Sequence, residues 1–480
     1  MKKKQWQKMV KTSFVLSLVV VLLSGCVGTS SETGKIQTME AEESHAVSFD
    51  FIGGKNVMPI AGYWGPYMPN NGEDAQTPPN YNSDEYWKII ADSGINLMSY
   101  ANLDYSKYPQ EVLKSLELGE KYGISVVVND SSILAMGEQE NIKATKVAEK
   151  MSEYMNHPAY AGLYLVDEPG TPYFAPTEQK ERMLDYLEGI AGVLNQEIGT
   201  FTYTNANPSG LDNTLYEYYE QYIREFCDVL KPKYLMFDRY PFDKKQEGHM
   251  DRFFYDLSIV RKVAQENNLP FWTFIQAGSQ WNDYNEYFDS DGYFPNEGEF
   301  DWAVNTCLAF GAQGINYFPL IQPYEFAYAK STPFDFERNG LIGAWGNKNR
   351  WYYYAQDINK QIAAVDEVLM NSVSKGVLAC GEQANKDMEL AKKYNVLLDG
   401  NSWRELKSVD GEAMVGCFNY QGKTAVYVVN YSTEYSQKIN LTFQDTYNVT
   451  VIQNAETKNL QGSSMTLDML PGEGTLLVFE

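Results

Sequence analysis

The sequence predicts an α/β protein: a (β/α)8 barrel followed by a small C-terminal antiparallel β-sandwich. Two observations support this prediction. Eight short apolar runs alternate with helical patterns over the first 370 residues, and shorter alternating strands follow them. The chain of 480 residues also exceeds the size of one barrel and leaves room for a companion domain. A doubly wound open sheet is the alternative, but it usually has fewer strands, and no glycine-rich phosphate loop follows the first strand here.

The eight predicted strands have the apolar composition of strands that are buried on both faces. They cover residues 57–63, 95–100, 124–129, 160–166, 198–204, 234–237, 271–276 and 315–320. Helical periodicity fills the segments between them, at residues 83–92, 109–122, 138–155, 177–195, 211–230, 250–267, 300–310 and 350–370. Eight strands that are each followed by a helix predict a closed parallel barrel.

The pattern changes after residue 370. Strands are predicted at residues 414–419, 424–430, 439–443, 448–452 and 474–479, with turn residues between them, which is typical of a small sandwich. We therefore divide the chain into a signal segment at residues 1–26, a linker at 27–50, the barrel at 51–372 and the sandwich at 373–480.

The first residues have the features of a targeting signal. Five lysines precede an apolar core at residues 14–23, and Leu23-Ser24-Gly25-Cys26 follows it. This ending resembles the bacterial lipobox, which implies cleavage before Cys26 and lipidation of that residue. A single uncleaved anchor helix is the alternative. We expect a lipid anchor on Cys26 that holds the protein at the extracytoplasmic face of the cell membrane.

The composition narrows the classes of partner. A formal charge of -24 argues against nucleic acid, because a phosphate backbone requires clustered lysine and arginine. The chain has three scattered histidines and no zinc-type spacing, so neither a metal site nor a cofactor is expected. The four cysteines after Cys26 lie in apolar stretches, which predicts buried free thiols: Cys227, Cys307, Cys380 and Cys417. Thirty-six tyrosines and nine tryptophans suit a sugar ligand, because such rings combine an apolar face with a polar edge.

The fourth strand ends in two adjacent carboxylates, Asp167 and Glu168. Isolated buried charge is costly, so both should lie where the sheet opens to a cleft. Pro169 should hold Glu168 in the extended region, because proline restricts the residue before it. Capping of the next helix, or pairing with surface cations, is the alternative role for these acids.

Active sites of this barrel lie at the C-terminal ends of the strands. The side chains at these ends are acids, amides and aromatic rings, which together suit carbohydrate. We predict substrate contacts from Trp64, Tyr67, Tyr100, Asn102, Asn129, Tyr203, Asn205, Tyr240, Gln276, Trp281, Tyr317 and Gln322, and chemistry from Asp167, Glu168 and Asp238. Asn205, Asn207 and Asp130 could instead be ordinary turn residues, since Asn and Asp are favoured in turns.

The chain resembles the (β/α)8 glycoside hydrolases through three short motifs, YLVDEP at 164–169, FDRYPF at 237–242 and GAQGINYF at 311–318. In the β-galactosidase-like enzymes this resemblance implies an acid/base Glu after strand four, which Glu168 matches, and a nucleophilic Glu after strand seven. Gln276 stands near the second position, so Asp238 becomes the candidate partner carboxylate.

A resemblance to β-N-acetylgalactosaminidase-type enzymes with an Asp-Glu-Pro strand end implies a second scheme. There Glu168 donates the proton and Asp167 orients the acetamido group of the sugar, which acts as the nucleophile. Neighbouring strand residues point to opposite faces, so this scheme requires the strand to end or bulge at Asp167. A surface lipoprotein that binds a glycan without cleaving it is the remaining alternative.

Overall fold

A computed structural model describes residues 49, 57–67, 79–139, 141–169, 177–210, 218–242, 249–278, 293–322, 339–394 and 396–480. Cys26, the signal segment and Trp281 lie outside these residues, as does most of the predicted linker. Residues Glu43–Glu480 form one compact unit that contains both the barrel and the C-terminal domain.

The described residues include an eight-stranded parallel sheet that curves into a barrel, as the sequence predicts. Its strands are β1 (Ile60–Tyr63), β2 (Leu97–Tyr100), β3 (Ser125–Val128), β4 (Tyr160–Asp167), β5 (Phe201–Asn205), β6 (Leu235–Phe237), β7 (Phe271–Gln276) and β8 (Ile315–Phe318). Neighbours along the sheet follow the order β5-β4-β3-β2-β1-β8-β7-β6.

A tyrosine helps to close the ring between β5 and β6. Ala206 bridges Phe237 in parallel, and the Tyr234 hydroxyl lies against the backbone of Thr204. This hydroxyl accepts a hydrogen bond from the Thr204 N–H at 3.1 Å and donates one to the Thr204 carbonyl at 3.2 Å. The Tyr234 hydroxyl therefore satisfies the Thr204 N–H and carbonyl, which the backbone of a neighbouring strand would otherwise pair.

Helices surround the sheet. They are α1 (Asp84–Asp92), α2 (Pro109–Tyr122), α3 (Ser131–Leu134), α4 (Ala144–Met151), α5 (Thr177–Ala191), α6 (Tyr219–Leu230), α7 (His249–Glu266), α8 (Glu297–Ala309), α9 (Arg350–Met370) and α10 (Glu382–Asp387). The bounds predicted for α2 and α9 are confirmed. For α2 the reason is local, because Pro109 suits a first turn and Gly123 ends the helix in the left-handed region at φ 71°. None of the helices in the described residues is both long and apolar enough to cross a bilayer.

Aromatic side chains fill the barrel interior in two levels. The lower level lies near the N-terminal ends of the strands and contains Phe201, Tyr234 and Trp272. The Tyr234 and Trp272 ring centroids are 4.2 Å apart, and Phe49 packs 5.0 Å from Trp272. The upper level lies at the ends of the strands where the active site is predicted. The closely packed rings of the lower level therefore support that site from below.

The C-terminal domain is an antiparallel sheet that encloses a core of its own. Its strands are β9 (Ser372–Cys380), β10 (Leu406–Asp410), β11 (Ala413–Tyr420), β12 (Lys423–Asn430), β13 (Gln437–Gln453), β14 (Glu456–Met469) and β15 (Gly474–Phe479). The prediction of two separate strands at 439–443 and 448–452 is wrong. One strand, β13, covers both segments, and its register with β14 shifts between Thr442 and Tyr447. The sequence prediction also missed β9, β10 and β14.

The second face of this sheet packs on the barrel through α8. This helix is buried on all sides, which explains why it lacks an amphipathic stripe. Asn305 accepts a hydrogen bond from the Tyr427 hydroxyl at 2.7 Å and donates one to the Gly472 carbonyl at 2.9 Å. The four cysteines of the barrel and the C-terminal domain are buried and free, as predicted.

We expect Gly416→Val to destabilise this interface strongly. A Cβ atom at Gly416 would lie 2.2 Å from the Ala309 carbonyl oxygen of α8, so the sheet and the helix would have to separate. Overpacking of this kind costs about 3 kcal/mol of unfolding free energy. The measurement is the denaturant midpoint beside Gly192→Ala, where the added atom meets nothing within 4 Å. Equal midpoints for the two variants would contradict the packing described here.

Candidate active site

A bulge in β4 directs Asp167 into the barrel. The β4–β5 register shifts between Tyr164 and Val166, so that Asp167 pairs with Asn205 and enters the interior. Glu168 follows with φ 45°, and its N–H donates to the Asn205 carbonyl at 3.0 Å. The strand therefore both bulges and ends here, which is the condition for two adjacent acids to reach one cleft.

The expectation that Pro169 holds Glu168 in the extended region is wrong. The positive φ places Glu168 in the left-handed region, which costs a non-glycine residue about 1–3 kcal/mol. The backbone bond to Asn205 and the burial of Pro169 hold this turn in place. Such strain is typical of functional sites.

Three donors hold the half-buried Asp167 carboxylate. The Tyr63 hydroxyl donates to Oδ2 at 3.0 Å, while the Tyr203 hydroxyl and Asn205 Nδ2 donate to Oδ1 at 3.2 and 3.1 Å. These donors come from β1 and β5, so the closed sheet itself fixes the orientation of the carboxylate.

Asp238 completes a cluster of three carboxyl groups with Asp167 and Glu168. Asn205 Nδ2, which donates to Asp167, also donates to Asp238 Oδ1 at 3.0 Å. Asp238 is buried and hydrogen-bonded to the side chain of Glu168, whereas Glu168 is exposed. The neighbouring residue, Arg239, forms its buried ion pair with Asp256, with Nε 2.7 Å from Asp256 Oδ2.

The environment separates the titration of the two aspartates. Burial, the Glu168 charge, the hydrogen bond with Glu168 and the Asp167 charge hold the pKa of Asp238 well above its usual value. Burial and the Glu168 charge also raise the pKa of Asp167, but its three hydrogen bonds oppose the rise and leave the pKa at about 6. Asp238 is therefore suited to keep a proton in this cluster, and Asp167, which accepts from three donors, is suited to carry the negative charge.

We expect activity to fall below about pH 6, because protonation removes the Asp167 anion. Tyr63→Phe should move this acidic limb to higher pH, since the Tyr63 hydrogen bond lowers the pKa of Asp167. The measurement is kcat/KM from pH 4 to 9, with circular dichroism to show that the protein stays folded. An acidic limb that does not move in Tyr63→Phe would contradict this role of the hydrogen bond.

Aromatic side chains form a continuous wall around Asp167. Tyr63 stacks on Tyr100 with centroids 5.0 Å apart, and Tyr164 stacks on Tyr203 at 5.0 Å. Phe318 carries the wall to Trp64 at 5.0 Å and to Tyr240 at 5.7 Å. Burial and the nearby Asp238 charge raise the pKa of Tyr240, so its phenol stays protonated beside the acids.

The structure thus brings together eight of the predicted site residues. They are Trp64, Tyr100, Asp167, Glu168, Tyr203, Asn205, Asp238 and Tyr240. Asn102 lies at the edge of this group, exposed in the left-handed region, and accepts a hydrogen bond from the Tyr100 hydroxyl at 3.1 Å.

Four residues predicted to contact sugar are buried. Tyr317 points outward from β8, where its hydroxyl donates to Asn359 of α9 at 2.7 Å, so the prediction of Tyr317 as a sugar contact is wrong. The Gln276 amide binds backbone groups, with Nε2 2.9 Å from the Phe242 carbonyl. Tyr67 donates to the Gln322 carbonyl at 3.4 Å. Sugar contacts by Gln276, Tyr67 and Gln322 stay predictions.

Two turn residues after β3 and β5 have structural roles. Asp130 caps α3 and accepts a hydrogen bond from the Tyr154 hydroxyl at 3.0 Å, and Asn207 accepts one from the Tyr222 hydroxyl at 3.3 Å. The preference of Asn and Asp for turns explains Asp130 and Asn207, but not Asn205. Asn129 forms a backbone bridge with Asp104, and its sugar contact stays a prediction.

Three residues of the wall were not predicted from the sequence: Tyr63, Tyr164 and Phe318. Each lies within a strand rather than after it, so only the alternation of side chains along the strand could have identified them. In β8, Asn316 and Phe318 both point into the barrel, and Tyr317 between them therefore points outward.

No group of His, Cys, Asp and Glu side chains within the described parts of the chain could hold a metal ion. The cluster can instead carry a proton and a fixed negative charge a few ångströms apart, inside a wall of rings.

No family model and no curated protein matches the chain. Solved structures with similar folds include a beta-galactosidase from the psychrophilic Marinomonas ef1, with 11% identity, 69% of this chain and 65% of that chain covered, and a TM-score of 0.45. A family 51 alpha-L-arabinofuranosidase from Bifidobacterium longum has 9% identity, coverages of 88% and 96%, and a TM-score of 0.45. A glucosidase from Croceicoccus marinus has 11% identity, coverages of 92% and 97%, and a TM-score of 0.40. Likenesses at 9–11% identity and TM-scores of 0.40–0.45 assign no function to this chain.

Proposed function

We propose that this protein is a glycoside hydrolase that acts with retention of configuration. The observation that carries the proposal is the arrangement of three carboxyl groups around one amide: Asp167 and Asp238 accept from the same Asn205 Nδ2 at 3.1 and 3.0 Å, and Asp238 is hydrogen-bonded to Glu168. Groups whose pKa values are pushed apart supply the acid and the anion that glycosidic cleavage requires. A protein that only binds a glycan has no need to hold three carboxyl groups together in a largely buried site.

The acid in this proposal is the Asp238–Glu168 pair. Glu168 is its exposed member and delivers the proton to the glycosidic oxygen, while buried Asp238 holds that proton in the resting enzyme. The bond between the anomeric carbon and this oxygen then breaks, and the leaving alcohol takes the proton with it.

The carboxyl groups of the cluster lie close together. Asp167 Oδ1 and Asp238 Oδ1 both lie within hydrogen-bond distance of the same Asn205 nitrogen, at 3.1 and 3.0 Å, so these two oxygens are at most about 6 Å apart. The proton donor and the Asp167 anion can therefore act on one sugar ring. Two successive displacements at the anomeric carbon, first by a nucleophile and then by water, retain the configuration.

The contacts of Asp167 favour the substrate-assisted scheme over direct attack. Three donors occupy three of the roughly four acceptor positions of this carboxylate, which weakens it as a nucleophile but leaves one position on Oδ2 for a further donor. An anion held in this way is suited to accept the N–H of a 2-acetamido group, whose carbonyl oxygen attacks the anomeric carbon. We therefore propose 2-acetamido-2-deoxy sugars as the substrate class.

The test is hydrolysis of 4-nitrophenyl glycosides of N-acetylated and plain hexoses by the purified protein, with the anomer of the first product read by NMR. We expect the N-acetylated glycosides to be preferred and the configuration to be retained. Preference for plain hexosides with retention would select Asp167 as the nucleophile instead. Absence of turnover on every glycoside, together with glycan binding that survives Glu168→Gln, would overturn the hydrolase proposal.

We also propose that the protein is held at the outer face of the cell membrane by lipid on Cys26. The support is the Leu23-Ser24-Gly25-Cys26 sequence after an apolar core. We expect Cys26→Ser to move the protein out of the detergent-soluble membrane fraction, because an acyl anchor can no longer be attached. Equal membrane retention of both forms on cell fractionation would contradict the lipid anchor.

A further inference from the structure

A groove separates the barrel rim from the C-terminal domain. It encloses about 460 Å³, within the range of small-ligand sites. The loop after β6, the first turns of α7 and α8, and the turn after β12 line it. Helices of a (β/α)8 barrel begin at the end where its strands finish, so this groove opens on the same side as the acid cluster.

Four aromatic residues line the groove. Phe242, Trp302 and Tyr431 are buried, and the Trp302 and Tyr431 rings meet edge to face with centroids 5.7 Å apart. Tyr435 is 61% exposed. The Tyr435 backbone is nevertheless fixed, because its N–H donates to Ser432 Oγ at 3.2 Å and its carbonyl accepts from Asn430 at 3.2 Å. An exposed tyrosine ring on a fixed backbone is a good stacking surface for a sugar.

The polar groups of the groove suit hydroxyl groups better than a cation. Asp387 already accepts hydrogen bonds from Tyr431 at 2.8 Å and from Gln383 at 2.8 Å, and Glu412 accepts from two N–H groups at the start of α10. Each carboxylate is thus held in place by protein donors but can accept one more hydrogen bond.

The groove is connected to the acid cluster by a short, clamped loop. Asp238 and Tyr240 belong to the cluster, and Phe242, two residues later, belongs to the groove. Gln276 holds Phe242 in place by accepting from its N–H at 3.2 Å and donating to its carbonyl at 2.9 Å. This explains why a buried amide, rather than a catalytic acid, ends β7.

We propose that the groove is a second sugar-binding site, which holds a residue of the glycan chain beyond the one at the acid cluster, with Tyr435 stacked on its ring. The inference rests on the proposed function and extends it from single glycosides to oligosaccharides. The C-terminal domain then contributes directly to the choice of substrate.

The test combines binding and turnover for Tyr435→Ala. Calorimetry uses proteins that also carry Glu168→Gln, with tetrasaccharides of N-acetylglucosamine and of glucose as probes. We expect Tyr435→Ala to weaken tetrasaccharide binding at least fivefold and Tyr435→Phe to restore it. In proteins with native Glu168, the quantity to compare is the ratio of kcat/KM on the tetrasaccharide to kcat/KM on the aryl monosaccharide. We expect Tyr435→Ala to lower this ratio at least fivefold from its value in the parent protein.

Tyr353→Ala is the matched control, because Tyr353 is a similarly exposed tyrosine, at 54%, on α9. Tetrasaccharide binding that is the same in Tyr435→Ala and Tyr353→Ala, or absent from the parent protein, would overturn the groove proposal while leaving the hydrolase proposal intact. Tyr435-dependent binding without any hydrolysis would support the groove and count against the hydrolase.

Discussion

Glu168→Gln should lower kcat by about a thousandfold on glycosides with a poor leaving group. Glutamine keeps the size and the polar contacts of Glu168 but cannot hold the proton that reaches the glycosidic oxygen. The loss should be much smaller on a 2,4-dinitrophenyl glycoside, because that leaving group departs without protonation. The measurement is kcat on a series of aryl glycosides of one sugar, ordered by the acidity of the phenol.

The dependence on the leaving group separates catalysis from structure. A variant that had only distorted the cleft would lose activity equally along the whole series. Glu153→Gln is the matched control, since Glu153 precedes β4 in the chain and its carboxylate accepts a hydrogen bond from the Tyr105 hydroxyl, outside the acid cluster. An equal loss for every leaving group in Glu168→Gln would remove Glu168 from the role of acid.

The architecture could be predicted from the sequence because its signals are local. Eight buried strands produce apolar runs, and surface helices produce a regular stripe, so both can be recognised without knowing their partners. β7 (Phe271–Gln276) and β15 (Gly474–Phe479) have the bounds that were predicted. β14 (Glu456–Met469) was missed because most of its side chains are exposed, which leaves little apolar alternation to detect.

The site could be predicted only in part, because its geometry depends on one irregularity. The ends of the strands identified Asp167, Glu168 and Asp238, but the bulge in β4 that joins the first two is a property of the β4–β5 register. No residue in YLVDEP signals it. The error at Tyr317 is of the same kind, since a strand that ends two residues earlier than predicted places a different side chain at the rim.

Asp238→Asn should abolish most of the activity and at the same time stabilise the protein. The pKa of Asp238 lies well above its usual value in the folded state, so the unfolded chain releases that proton more readily. Stability therefore decreases as pH rises from the usual aspartate value through the raised one, at about 1.4 kcal/mol for each pKa unit between them. Asparagine removes this penalty and can still accept from Asn205 and donate to Glu168.

The measurement is the melting temperature at pH 8 and pH 5, beside kcat at pH 7. We expect Asp238→Asn to melt at least about 2 °C above the parent protein at pH 8, with a smaller difference at pH 5. Asp256→Asn should do the opposite, because Asp256 is also fully buried but neutralises Arg239 at 2.7 Å, and loss of one partner of a buried ion pair costs about 3 kcal/mol. If both variants lowered the melting temperature, Asp238 would be a structural residue like Asp256. Stabilisation with loss of turnover would instead show that the cluster is maintained for chemistry at the expense of the fold.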